Sequence, residues 1–246
     1  MKRYLHAFAM CRSMFCAIPC PWRVWDENAR DKMLLFLPAV GLEIGALWAL
    51  AAWLCRALAL PAPVRAAVLA AYPFLVTGFI HLDGFMDVTD AVRSCRDLAR
   101  RREILKDSHV GSFAVIGIVL LALCQFALFA SADDAASLWT LVLLPAVSRC
   151  ASALAVTALR PMSTSQYAAQ KKPASHTAIL GAQLALCLAW GLLAGRKTAL
   201  ALLGALAGYA LALRRAYRSL DGMNGDISGY ALTLGELCGA AVWSLL

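Results

Sequence analysis

The sequence predicts an all-α protein, a polytopic transmembrane helix bundle of about seven spans with a polar, carboxylate-rich site on its cytoplasmic face. Three observations predict it. Of 246 residues, 61% are hydrophobic and only 15% charged, outside the range of soluble domains. Apolar segments of roughly spanning length recur along the whole chain. The basic residues gather in alternate connections between those segments, as topology signals do. One integral membrane domain over 1–246 accounts for the chain, with 1–33 as a cytoplasmic amphipathic amino-terminal arm.

That arm carries Lys2, Arg3, Arg12, Arg23, Arg30 and Lys32. It lacks the long uninterrupted apolar core and cleavage-like stretch of a signal peptide. Apolar segments follow at about 34–54, 64–80, 113–132, 137–159, 177–195, 198–213 and 229–246. The connections near 55–63, 133–136 and 195–197 are brief, whereas those near 81–112, 160–176 and 214–228 are longer and polar. Counted with the arm, the long connections hold eighteen Lys and Arg, and the opposite face holds only Arg56, Arg65, Arg196 and Lys197. The basic face is therefore expected to be cytoplasmic, with the amino terminus inside. The net charge of +8 does not imply nucleic acid, because no aromatic platform is interleaved with the basic clusters. Within the sixth segment Gly204, Ala205, Gly208 and Ala212 fall at helical spacing, which suits close packing between spans.

The densest polar feature, His81-Leu82-Asp83-Gly84-Phe85-Met86-Asp87-Val88-Thr89-Asp90, follows the second segment. Asp83, Asp87 and Asp90 stand at i, i+4 and i+7, within an arc of about 60° on a helix. Aligned carboxylates repel one another unless a cation compensates them, and hard oxygen ligands suit Mg²⁺ or Mn²⁺. A solvated acidic helix start is the alternative; it accounts for Asp83 but not for Asp90. A second acidic segment, Asp221-Gly222-Met223-Asn224-Gly225-Asp226, precedes the last apolar run on the same expected face. It reads either as a turn or as the other half of a metal and phosphate shell.

Supporting groups lie nearby. The stretch Lys106-Asp107-Ser108-His109-Val110-Gly111 offers a cation, a hydroxyl and backbone donors ahead of the third span, a setting that suits phosphate. Arg149 falls inside the fourth apolar segment, where it faces either phosphate and carboxylates or a structural partner, Glu43 or Glu236. His81 is a candidate general base or a group that orients a neighbour.

These residues resemble the cobalamin synthase (adenosylcobinamide-GDP ribazoletransferase) family. The resemblance rests on His81-Leu82-Asp83-Gly84 with Asp87 and Asp90, on Glu103-Ile104-Leu105-Lys106-Asp107-Ser108 to Gly111, on Ser148-Arg149, and on Gly225-Asp226 followed by Gly235-Glu236. It runs through most of the chain after about residue 34. Ala91 follows Asp90 where the family usually has Gly.

The resemblance implies a Mg²⁺-dependent transfer, with a cytoplasmic-face active site in the inner membrane. In it α-ribazole, or its 5′-phosphate, displaces GMP from adenosylcobinamide-GDP. On that basis Asp83, Asp87, Asp90, Asp221 and Asp226 are expected to bind the metal, and Lys106, Ser108, Arg149, Asn224 and Gly225 the phosphates. Asp90, Asp87 and His81 are the candidates for catalysis. Expected partners are the two substrates and the lipid bilayer, with room for a homo-oligomer or for association with other cobalamin-assembly enzymes. Two other readings stay open. A CDP-alcohol phosphotransferase also uses a helix-borne Asp-Gly with spaced aspartates, although Phe85-Met86 stands here where that group has Ala-Arg. A membrane transporter would need charges at the bilayer midplane, and the acidic clusters lie at span ends.

Overall fold

A computed structural model describes residues 2–133, 137–163, 165 and 173–246. Ten α-helices and a 3₁₀ segment make up its regular structure. They are α1 (Lys2–Phe15), the 3₁₀ segment (Glu27–Phe36), α2 (Leu37–Ala57), α3 (Ala62–Val76), α4 (Ile80–Arg93), α5 (Leu98–Ile104), α6 (Ser112–Ser131), α7 (Leu138–Ala158), α8 (Ala174–Ala194), α9 (Arg196–Leu220) and α10 (Gly225–Leu245). No strand occurs among the described residues, and one isolated bridge joins Pro161 to Met223.

The axis of the bundle is α7, which packs against α2, α8, α9 and α10. It buries residues around its whole circumference, from Thr140 to Val156, as a helix surrounded by helices must. On α2, glycines let the two backbones approach: a Cβ on Gly41 would lie 2.6 Å from the Pro145 carbonyl oxygen, and one on Gly45 would collide with the Val142 carbonyl. The small-residue stripe on α9 serves α10 in the same way, since a Cβ on Gly204 would lie 2.8 Å from Val242 and one on Gly208 2.5 Å from Cys238 Sγ.

The expected second span, 64–80, ends early. Helix α3 stops at Val76, Gly78 and Phe79 take φ of +60° and +64°, and the chain turns 89° into α4. The Thr77 hydroxyl donates to the Pro73 carbonyl at 2.7 Å and closes the helix. The acidic helix therefore leaves the direction of α3 and packs along α10 and α6.

The expected count of seven spans is also modified. Among the described residues, five helical stretches are long and apolar enough to cross a membrane singly: the 3₁₀ segment with α2, then α6, α7, α8 and α9. The bent pair α3 and α4 brings the number to six. Helix α10 covers the expected seventh segment but is not among them. It packs against α9, α4, α7 and α6, and it carries Ser228, Gly229, Thr233, Gly235 and Glu236, which lower its hydropathy. A helix enclosed by protein needs no lipid-facing surface.

The amino-terminal arm is a docked element, not only a basic amphipathic tail. Helix α1 buries Ala7, Met10 and Cys11, and Arg12 grips Glu43 on α2 through Nε at 3.0 Å and Nη2 at 2.8 Å. A forked guanidinium–carboxylate contact of this kind fixes orientation as well as charge. It also identifies the partner of Glu43, one of the two carboxylates the sequence places within the spans.

Candidate active site

Helix α4 and the start of α10 lie backbone against backbone. A Cβ on Gly84 would sit 2.8 Å from the Asp226 carbonyl oxygen, and one on Gly229 3.1 Å from that of His81. Both positions demand glycine by close approach. Thr233 reinforces the contact by donating its hydroxyl to the His81 carbonyl at 3.4 Å. This packing joins segments about 130 residues apart and sets Asp87 within electrostatic range of Asp83, Asp226 and Asp90, and Asp226 within range of Asp83.

Asn224 shapes the α10 end of the site. Its side-chain oxygen caps the helix by accepting from the Ile227 N–H at 2.9 Å, and its amide donates to Asp226 at 2.7 Å. A cavity of about 120 Å³ opens between Asp83 and His81 on one side and Gly225, Asp226 and Ser228 on the other, with Phe15 of α1 in its wall. The ring of Phe15 stacks on His81 at 5.9 Å. His81 Nε2 is buried without a hydrogen-bond partner among the described residues.

Five aspartates were expected around one metal and phosphate site, and the structure divides them. Asp83, Asp87 and Asp226 form the cluster; neither Asp83 nor Asp87 makes an ion pair among the described residues. Asp90 faces α6 and caps it: one oxygen accepts from the Gly111 N–H at 2.6 Å, the other from the Ala114 N–H at 2.9 Å. A Cβ on Gly111 would meet those oxygens at 2.6 Å, which explains the glycine there. Asp221 ends α9 at φ +53° and is neutralised by two arginines: Arg160 forms an ion pair with it, and Arg102 donates at 3.3 Å. Among the described residues no three His, Cys, Asp or Glu side chains converge to hold a metal by themselves.

The expected phosphate groups are divided in the same way. At the start of α6, where phosphate was expected, the N–H groups of Gly111 and Ala114 are already taken by Asp90. Lys106 and Ser108 are exposed in the loop before it. There Asp107 accepts from the His109 N–H at 3.0 Å, which holds its carboxyl below the usual carboxylate range. Asn224 and Gly225 do border the cluster. Arg149 is 1% exposed and donates to Glu236 at 2.8 Å and to the Pro145 carbonyl at 3.1 Å, while Ser148 donates to the same Glu236 oxygen at 2.7 Å. Of its two sequence alternatives, the structure takes the ion pair inside the bundle. The basic loop residues Lys171 and Lys172 lie outside the described residues.

Sequence reasoning did not single out Arg102 and Arg160. Arg102 donates to the Leu220 and Asp221 carbonyls at 3.1 and 2.8 Å, and with Arg160 it fastens α5 and the end of α7 onto the turn that presents Asn224 and Asp226. The available signal was the surplus of arginine on the face that also carries DGMNGD.

Fold and site together define a polytopic helical membrane protein with a carboxylate cluster where two buried helices meet. The profile described as cobalamin-5-phosphate synthase matches residues 7–244. The chain belongs to that family of enzymes. Among curated relatives, the adenosylcobinamide-GDP ribazoletransferase of Clostridium perfringens (strain 13 / Type A) is 34% identical over 251 residues, covering 100% of both chains. That of Clostridium botulinum (strain Alaska E43 / Type E3) is 32% identical, covering 97% of each. That of Stutzerimonas stutzeri (strain A1501) is 37% identical, covering 89% of this chain and 87% of its own. No solved structure matches the chain significantly.

Proposed function

We propose that this chain transfers the adenosylcobinamide-phosphate group of adenosylcobinamide-GDP to the ribose hydroxyl of α-ribazole, or of its 5′-phosphate, and releases GMP. The hydroxyl oxygen bonds to phosphorus as the pyrophosphate bond to GMP breaks, and the hydroxyl proton passes to a carboxylate. The observation that supports this reading best is the meeting of Asp83 and Asp87 with Asp226 across a glycine-tight contact, in a chain whose relatives of that name align over its full length. Asp87, the most enclosed by like charges, is the proton acceptor in this reading. Asp90 keeps α6 in place, and His81 orients the cavity wall.

The cluster fits Mg²⁺. Its carboxylates repel one another with no basic partner among the described residues, and this ion ordinarily takes one or two protein carboxylates with waters and substrate phosphates completing its shell. The lack of three converging protein ligands accords with that mode. Asp83 and Asp226, which line the cavity, would hold the ion, which when bound would offset charge on the transferring phosphoryl group. Purified protein in lipid, given adenosylcobinamide-GDP and α-ribazole, is expected to release GMP; chelation should abolish release and added Mg²⁺ restore it. Release that persists undiminished in excess chelator would remove the metal, and no release with Mg²⁺ present would remove the proposed reaction.

In the same reading the protein lies in the inner membrane with its acidic cluster on the cytoplasmic side, where the basic loops gather. Cys95 is exposed just after α4 and reports that side. In a variant with Cys95 as its sole cysteine, an impermeant thiol reagent is expected to label inside-out vesicles and leave intact cells unlabelled. The reverse pattern would invert the topology.

A further inference from the structure

On the side of α4 turned away from the carboxylates, a second cavity of about 200 Å³ opens between α4, α6, α9 and α10. Phe85, Leu121 and Leu237 line its apolar length, and Gly117 forms its floor; a Cβ there would lie 3.0 Å from the Thr89 methyl. Its flank is open. Leu120 is 56% exposed and Cys124 is exposed, on a helix that also turns Val115, Ile116 and Val119 outward. For a spanning helix that outer surface is lipid.

One end of the cleft is strongly basic. Arg93, at the close of α4, and Arg215, near the close of α9, both line it, and both act electrostatically on the Tyr230 side chain between them. Neither arginine forms an ion pair among the described residues. They lie toward the end of the bundle that holds Asp221, where the chain leaves the membrane, while Cys124 lies about 18 Å along α6 from Ser112, roughly one leaflet. Thr89 on the cleft wall is 5% exposed, and its enclosed hydroxyl makes no hydrogen bond among the described residues.

We propose that this cleft binds one anionic phospholipid of the surrounding bilayer. Its phosphate lies on Arg93, Arg215 and the Tyr230 hydroxyl, and an acyl chain follows Phe85, Leu121 and Leu237. Charge complementarity selects the occupant. Two unpaired guanidinium groups above an apolar slot fit an anion with an apolar body, and the slot opens sideways to the phase that supplies one. A water-soluble phosphate ester would have no use for the lateral opening. Nor would it reach the carboxylates, since Phe85, Thr89 and Arg93 are centred about 130° around α4 from Asp83, Asp87 and Asp90.

The test uses full-length protein in nanodiscs of equal phosphatidylglycerol and phosphatidylcholine, followed by native mass spectrometry of the lipids that remain bound. The unsubstituted protein is expected to retain one phosphatidylglycerol in about tenfold preference over phosphatidylcholine. Arg93→Gln with Arg215→Gln should abolish the preference, and Cys124→Phe, which fills the slot, should lower retention of either lipid. Melting temperatures in phosphatidylcholine alone identify any variant that fails to fold. Should Cys124→Phe be such a variant, the two exposed arginines still decide the matter. Equal retention of the two lipids, an undiminished preference in the double variant, or displacement of the bound lipid by millimolar inorganic phosphate would overturn the proposal.

Discussion

Replacing Asp87 by Asn is expected to lower turnover by about 10²–10³-fold while leaving the melting temperature nearly unchanged. The substitution keeps the shape of the side chain and removes both its charge and its capacity to take a proton, a role whose loss ordinarily costs that much. Asp87 contributes little to holding the fold, because it faces like charges. Asp226→Asn should fall in a similar range. Since the two carboxylates are brought together by the contact of Gly84 with the α10 backbone, the double variant should be little worse than the worse single one. Asp90→Ala provides the contrast. It removes the acceptor for Gly111 and Ala114 and should destabilise the protein by about 0.5–2 kcal/mol, as loss of a helix cap does. Thermal melts and GMP release, measured on the same preparations, separate the two behaviours. Losses for Asp87 and Asp226 that multiply in full would mean that they act at separate sites.

The difference between Asp87 and Asp90 marks how far the sequence could be read. Composition and the recurrence of apolar segments were enough for a helical membrane bundle, and the i, i+4, i+7 spacing was enough to put three carboxylates on one face of a helix. Spacing says nothing about what stands opposite each of them. Asp83 and Asp87 face α10, whereas Asp90, one turn further on, reaches the start of α6; that depends on the 89° turn after α3, set by Gly78 and Phe79. Hydropathy alone does not forecast such a turn, because the apolar run continues through it. The late acidic segment was divided for a similar reason. Asp226 lies in the first turn of α10, beside the cluster, while Asp221 stands at the end of α9 within reach of arginines from α5 and from the end of α7. Helix α10 shows the reverse limit. Its length suggested a span, and only its packing accounts for the small and polar residues that lower its hydropathy.

Arg149 is expected to govern stability rather than turnover. Its guanidinium is 1% exposed, and its partner Glu236 is 11% exposed in its side chain; Ser148 gives the same carboxylate oxygen a further hydrogen bond. Removing one member of a buried pair leaves the other charged and unpartnered, at a cost of about 3–5 kcal/mol, whereas replacing both by apolar groups of similar volume is often neutral. Arg149→Met should therefore lower the melting temperature sharply, and Glu236→Leu should do the same. The two together should recover most of the loss. Any activity deficit of Arg149→Met should track the folded fraction, because Nη1 of the guanidinium is engaged by Glu236 on α10 and by the Pro145 carbonyl within its own helix. Suppose instead that Arg149→Met melts like the unsubstituted protein but no longer releases GMP. The guanidinium would then be serving phosphate, and the pairing with Glu236 would be a resting arrangement that substrate displaces.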